Sequence, residues 1–245
     1  MGLAGILRVG RRSMTVSSVA TKLVTRAARE VLHPLGLRQR GRSRTWIDDR
    51  SWWLIVVELQ PSSWRLGSHL NVGVNWLWWA KDHISFDEGY RVRWATNPVR
   101  LDDTARHTAD YLDHRTDEQF ASEIRGVCAV AAQRVNQLRE RFVDIDAVAR
   151  HLNANTADDD RCWRAYHAGI AAGLAGDIPT AQARLARVAA GQATSSWEAD
   201  RAGRARQLCE LVVDRPSFKD HLRIVVAEAR SLLKLDPCDP THLPL

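Results

Sequence analysis

This 245-residue chain has few cysteines, and none of them are paired in sequence. Cys128, Cys162, Cys209 and Cys238 lie far apart, so the spacing supports neither a disulfide framework nor a zinc site. Cys128 and Cys209 fall on apolar helical stripes and read as small core residues. Such a set of thiols suits a reducing cytoplasm, which is the expected location. Long apolar runs are also missing, so no membrane span and no membrane partner are expected. Near the start, Leu3 to Leu7 form the only apolar patch, and arginines follow it, the wrong order for a secretory signal. Met14 is an alternative start, and residues 1–15 read as a disordered extension. No glycine-rich phosphate loop, HExxH pair, nucleophile elbow or kinase signature occurs. The expectation is a chain without catalytic residues, metal or cofactor.

Apolar residues make up 45% and charged residues 26% of the chain, the balance of an ordinary globular protein. The net charge of +6 is concentrated at one end. Arg8, Arg11, Arg12, Lys22, Arg26, Arg29, Arg38, Arg40, Arg42 and Arg44 face a single acid, Glu30, within the first 44 residues. A basic end on a near-neutral body attracts nucleic acid, anionic lipid or an acidic protein, unless it is simply a solvated arginine-rich surface.

Eight of the ten tryptophans fall between Trp46 and Trp94, in a stretch that alternates polar and apolar residues. That alternation marks half-buried strands. A helix is expected from Ser17 to Leu32, on the stripe Val16, Val19, Ala20, Leu23, Val24, Ala27 and Val31, stopped by His33-Pro34 and Gly36. Four strands follow: Leu37–Ile47, Trp52–Gln60, His69–Trp79 and Tyr90–Trp94. Their short connections favour an antiparallel meander.

From Leu101 onward the pattern is helical. The longest stripe runs through Phe120, Ile124, Val127, Cys128, Ala131, Val135, Leu138 and Phe142. Asp144–Asn153 is a shorter helix, Thr156 and Asp159 resemble a capping box, Asp177 caps a helix over Thr180–Ala190, and the last helix starts near Ser217 and ends before Pro237. The predicted fold class is therefore α+β. It consists of a four-stranded antiparallel meander packed with an N-terminal helix and a long helix, followed by an all-helical region. In domain terms, residues 16–155 form the α+β domain, 156–235 the helical extension and 236–245 an irregular tail.

The segments Gly36-Leu37-Arg38, Leu59-Gln60-Pro61-Ser62 and Leu70-Asn71-Val72-Gly73-Val74 resemble an uncharacterised bacterial family, catalogued as domain of unknown function 4304. The resemblance spans roughly residues 17–150. It implies an α+β fold and supplies no catalytic residue. Leu37 stands where an aromatic is common, and the third strand is unusually rich in tryptophan. Ala168-Gly169, Gly176-Asp177, Ala181 and Leu185 look like one tetratricopeptide unit, two helices joined by a Gly-Asp turn. Gly169, Gly173 and Ala181 would let those helices approach closely. Repeats of this kind build interaction surfaces, although so few units also read as a helical cap on a core.

By strand phase one sheet face carries Arg38, Arg40, Arg42, Arg44, Trp46, Trp52, Glu58, Gln60, His69, Asn71, Asn75, Trp79, Arg91 and Arg93. The candidate partner-binding set is Arg40, Arg42, Arg44, Trp46, Trp52, Gln60, Asn71, Asn75, Trp79, Arg91 and Arg93. Trp53, Trp76, Trp78 and Trp94 go with the opposite, apolar face. If the first face is open, arginines and indoles can grip a protein partner or hold phosphates while rings stack on bases. If helices cover it, its tryptophans are core. The Lys81-Asp82-His83 and Asp87-Glu88 loop offers an acid–base pair in His83 and Asp87, or a solvated loop. His107 and His114, with Asp103 and Asp110, share a face of an expected helix and read as polar surface. The expected function is a non-enzymatic, cytoplasmic binding module that acts on an unknown protein partner; a bacterial immunity or defence-accessory role would fit. The alternative is a nucleic-acid-binding protein using the arginine/tryptophan face.

Overall fold

The computed structural model describes residues 7–93, 110–154 and 162–238, and only the backbone of residues 7–18. The fold is α+β, with an antiparallel sheet, an N-terminal helix and a helical C-terminal region. The chain divides into two compact units. One comprises Met1–Arg50, Leu54–Val74 and Glu88–Gln137; the other comprises Ser51–Trp53, Asn75–Asp87 and Leu138–Leu245.

In the first unit, helix α1 (Leu7–Leu32) begins ten residues ahead of the expected Ser17 and overlaps the expected disordered extension from Leu7 onward. Ala20, Val24, Ala27, Ala28 and Leu32 form its buried stripe. A 3-10 turn over His33–Leu35 follows, and Gly36 closes it at φ 88°, a left-handed conformation that glycine adopts without steric cost.

The first expected strand is two. Strand β1 (Arg38–Gln39) and strand β2 (Thr45–Asp49) form a hairpin, with Arg38 opposite Ile47 and Gln39 opposite Trp46. Between them Gly41 sits at φ 56°, and the Ser43 hydroxyl donates to the Arg40 carbonyl (2.7 Å). This turn reverses the chain inside the arginine series, so Arg38 to Arg44 do not lie along one strand.

Strand β3 (Trp53–Gln60) pairs with β2, strand β4 (Gly67–Trp76) neighbours β3, and strand β5 (Glu88–Arg91) pairs with β4, giving the order β1-β2-β3-β4-β5. Strand β6 (Tyr111–Asp113) pairs with the start of β4, in a region expected to be helical. His114 follows β6 outside any helix, its imidazole against the Asp117 carboxylate (2.9 Å). Asp110 also lies outside any helix, so the expected shared helical face is absent. His107, Asp103, Trp94 and the Thr156–Asp159 capping box fall outside the described residues.

Register decides which side chains share a face. Trp46 sits opposite Val57, whereas Thr45 sits opposite Glu58. Residues paired across a ladder point the same way, so Trp46 belongs with the odd-numbered apolar residues of β3, not with Glu58 and Gln60. Helix α2 (Asp117–Arg141) buries Phe120, Ile124, Val127, Cys128, Ala131 and Val135, the stripe expected from the sequence. Its Arg125 reaches Glu30 of α1 (3.0 Å).

The second unit holds helices α3 (Ile145–Ala154), α4 (Trp163–Ala175), α5 (Ile178–Ala189), α6 (Ser196–Leu211) and α7 (Arg215–Leu232). Helix α4 buries ten successive positions, Ala165–Leu174, which makes it the centre of this unit. Gly176, at φ 91°, turns the chain, and Asp177 caps α5 by accepting from the Thr180 amide (3.1 Å). This is the Gly-Asp turn expected from the sequence. Gly169 and Gly173 face side chains of neighbouring helices with no room for a methyl group, and Ala181 is fully buried. No described helix is long and apolar enough to cross a membrane.

Candidate functional site, a tryptophan-walled cleft

Within the second unit, residues 75–87 are held by a compact polar cluster. The Asp87 carboxylate accepts from the Trp76 amide (2.8 Å), from the Ser85 hydroxyl (2.6 Å) and from Lys81 Nζ (3.1 Å). Asn75 Oδ1 accepts from the Ser85 amide (3.0 Å). The Lys81 and Asp87 side chains are only 11% and 10% exposed. Burial alone would raise the Asp87 pKa; attraction to the Lys81 ammonium, with the Ser85 and Trp76 donors, outweighs it and holds the carboxyl below its ordinary value.

Aromatic side chains stand around this cluster. Trp163 and His167, four residues apart on α4, stack at 5.8 Å. Trp197, at the start of α6, lies parallel to Trp163 at 6.0 Å. Trp79 meets Trp163 and Tyr166 edge-on, at 5.0 and 5.3 Å. His167 is placed by Trp78, whose indole N–H donates to Nδ1 (2.8 Å), so that nitrogen is the acceptor and the ring proton sits on Nε2. The result is a cavity of about 490 Å3 walled by Trp79, Trp163 and Trp197, with Lys81, Ser85, Asp87 and His167 among its lining and His83 and Phe86 completing it. Its size is that of a site for a small molecule or for one or two side chains.

Each wall tryptophan also carries a guanidinium. Arg204 lies over Trp79 at 4.6 Å and pairs with Asp200 (3.1 Å). Arg201 lies 4.9 Å from the Trp163 ring and 5.0 Å from the Trp197 ring. Arg201 is 6% exposed, and among the described residues its Nε and Nη1 have no hydrogen-bond acceptor. Trp197 is 40% exposed, the most open of the three walls.

The residues expected to form one partner-binding face are dispersed. Trp46, Trp52 and Trp79 are all buried, as are Trp53, Trp76 and Trp78. Trp52 stacks against Trp76 and Trp78 at 5.8 and 5.4 Å as part of an indole core. Arg44 is turned inward, donating to Thr21 Oγ1 (2.8 Å). Gln60, Asn71 and Arg91 do come together in the first unit. There Asn71 donates to Glu58 (2.7 Å) and Gln60 (3.1 Å), while Arg91 donates to Asn71 (2.9 Å) and Gln60 (2.9 Å). Those bonds pair the group internally, which makes it a stabilising network on the sheet. Asn75 and Trp79 belong to the cleft cluster of the second unit. Arg42 and Arg93 are exposed, Arg40 is half-buried, and no indole of the expected set stands open among them.

His83 and Asp87 line the same cleft, but Asp87 is engaged by Lys81, Ser85, Asn75 and the Trp76 amide, and the His83 imidazole is solvent-exposed against Asp82 (3.0 Å). No cluster of three metal-ligating side chains occurs among the described residues. Trp163, Trp197, Arg201 and Arg204 lie outside the alternating block and outside the face expected from strand phase. The spacing Trp163/His167 and Trp197/Arg201, each four apart on a helix, is the signal that carries them. Comparison with family models, with curated proteins and with solved structures found no match.

Proposed function

We propose that the chain is a non-enzymatic binding module that acts through contact with a protein partner in the cytoplasm, the compartment its widely spaced thiols suit. The observation that carries this reading is the tryptophan-walled cleft, where a half-open Trp197 stands beside a buried arginine. Tryptophan and arginine in a concave, partly desolvated setting are the residues that dominate protein interfaces. The helical pair α4–α5, with its close small-residue contact and Gly-Asp turn, supports it as a frame of the kind used for interaction surfaces. The engagement of Asp87 by Lys81, Ser85 and Trp76 favours recognition over proton transfer, because a general base needs a free lone pair. The nucleic-acid reading loses its stacking element with Trp46, Trp52 and Trp79 buried. The resemblance to the uncharacterised bacterial family rests on short motifs alone and would imply a fold without naming a partner.

The test is affinity capture with the full chain, followed by stoichiometry of the eluted complex. The expected result is one protein recovered in a fixed ratio and lost with Trp197→Ala. No stoichiometric partner, or a partner indifferent to Trp197→Ala, overturns the reading.

A further inference from the structure

The positive charge of the chain belongs to its first unit, and there it meets an open indole at one end of the sheet. Between residues 19 and 44, seven arginines and lysines face one acid, Glu30, which Arg26 (2.9 Å) and Arg125 (3.0 Å) already engage. The β1–β2 turn (residues 40–44) and the β3–β4 loop (residues 61–66) lie at the same end, because Thr45, at the start of β2, is paired with Glu58, near the end of β3. Arg44 ties this end together, donating to the Gly67 carbonyl (3.4 Å) and to Thr21 of α1 (2.8 Å). Lys22 follows Thr21 and starts a groove of about 420 Å3 along α1, which Arg26 and Arg29 also line. Lys22, Arg29 and Arg42 are exposed and Arg40 is half-buried; none of the four forms an ion pair among the described residues. Beside them stands Trp64, 92% exposed, whereas Trp46, Trp52, Trp53, Trp76, Trp78 and Trp79 are buried. Its loop is fastened at the base. The Tyr111 hydroxyl donates to the Arg65 carbonyl (2.8 Å), the His114 amide to the Leu66 carbonyl (2.9 Å), and the Arg65 guanidinium lies over the Tyr111 ring (4.5 Å). The ring is therefore held out into water on an anchored backbone.

We propose that this end of the first unit binds single-stranded nucleic acid, with a base stacked on Trp64 and phosphates drawn to Arg42, Arg40 and the Lys22–Arg29 groove. The site is separate from the cleft of the second unit and goes beyond the protein-binding reading; either stands without the other. At 92% exposure both faces of the indole are open, the condition for stacking on a base, and only a single strand offers its base faces freely. The unpaired cations supply the counter-charge that a phosphate backbone requires. A protein hot spot would instead place its ring in a packed, desolvated patch, and the neighbours Ser63 and Arg65 are exposed and polar. One indole flanked by such residues offers a bilayer less apolar surface than a single acyl chain, which itself anchors only marginally.

The experiment is fluorescence anisotropy of a labelled oligothymidylate of about twelve nucleotides, titrated with the full chain at about 50 and 200 mM salt. With Lys22, Arg29, Arg40 and Arg42 as phosphate contacts, a slope of roughly −0.7 per contact gives about fifty-fold weaker binding at the higher salt. Trp64→Ala should weaken binding about tenfold at either salt and leave that salt effect as it is, because it removes a stack and no charge. Trp64→Phe, which keeps a ring, should recover most of the loss. Arg40→Ala combined with Arg42→Ala should cut the salt effect to about sevenfold. Far-UV circular dichroism confirms that the variants are folded; if the double variant is not, the two Trp64 variants decide alone. No binding at the lower salt, a duplex of the same length bound as tightly as the single strand, or affinity that Trp64→Ala leaves unchanged overturns the proposal. Co-sedimentation with vesicles of phosphatidylcholine and phosphatidylserine in equal parts tests the membrane. Vesicle binding that needs Trp64, without oligonucleotide binding, assigns the surface to lipid and overturns the proposal as well. A failed capture through Trp197 removes the protein-binding reading and leaves this site standing.

Discussion

Gly173 tests the packing of the helical unit most directly, because two opposing effects act on one methyl group. In a helix interior, Gly→Ala ordinarily stabilises by about 0.5–1 kcal/mol, since glycine loses more backbone freedom on folding. At Gly203, in the middle of α6, an added Cβ meets nothing within 4 Å, so that gain should be realised. At Gly173 the same atom would lie 2.7 Å from Val212 Cγ2 and 2.8 Å from Phe218 Cε1, closer than carbon atoms approach without something shifting. Phe218 and Val212 are both fully buried, so neither has room to retreat. Overpacking of this kind costs about 1–3 kcal/mol. Gly173→Ala should therefore be less stable than the parent by roughly 0.5–2 kcal/mol, after subtracting the propensity gain. The difference between the two variants isolates the clash, because the propensity term is common to both. Urea denaturation followed by far-UV circular dichroism reads it as a difference in midpoint at unchanged slope. If Gly173→Ala and Gly203→Ala move the midpoint alike, the close approach of α4 to Val212 and Phe218 is wrong.

Asp177→Ala removes the cap that accepts from the Thr180 amide and should cost about 1 kcal/mol in the same denaturation assay. Asp87→Asn leaves Lys81 without its counter-charge at a site about one-tenth exposed and should cost about 3–5 kcal/mol; a loss well below that would mean the pair is solvated. Acid should destabilise the second unit through two depressed carboxyls. Because their folded-state values lie below the unfolded ones, their stabilising effect is present above pH 4.5 and is lost as pH falls, through values below 3.8 for Asp87 and toward about 2 for Glu198, which accepts from Thr194 and Ser195. Melting temperature measured between pH 6 and pH 2 should fall along this limb, and Glu198→Gln should flatten it. Burial, with Glu30 nearby, pushes the Cys128 thiol up to about 12, so iodoacetamide at about pH 8 should leave Cys128 unmodified in the native chain and label it in urea, as peptide mass spectrometry would report.

The parts of this fold that were legible in the sequence are those where one local period ran unbroken. The stripe from Phe120 to Val135 became the buried face of α2, and the Gly176-Asp177 turn stands where the Gly-Asp pair placed it. Face assignment failed where a turn interrupted the count. Even-numbered residues from Arg38 to Trp46 keep a period of two on paper, but the turn at Gly41 and Ser43 reverses the chain. The next turn then sets Trp46 against Val57 rather than Glu58, so register rather than alternation chose its face. Strand β6 was hidden for a related reason. Tyr111–Asp113 is too short to display a period, and its strand character comes from pairing with Gly67–His69, more than forty residues earlier in the chain. The cleft shows the same limit at the level of function. Tryptophan density pointed to residues 46–94, where most of the indoles turned out to be core. Trp64, in the loop before β4, stands exposed inside that block, whereas the half-open ring of the cleft, Trp197, lies outside it, and its partners arrive from α4, from the loop after β4 and from one helical turn along its own helix. An indole count measures how much ring a segment must bury. Spacing measures which rings can be held open, and the pairs Trp163/His167 and Trp197/Arg201 were the places in this sequence where the second quantity was written.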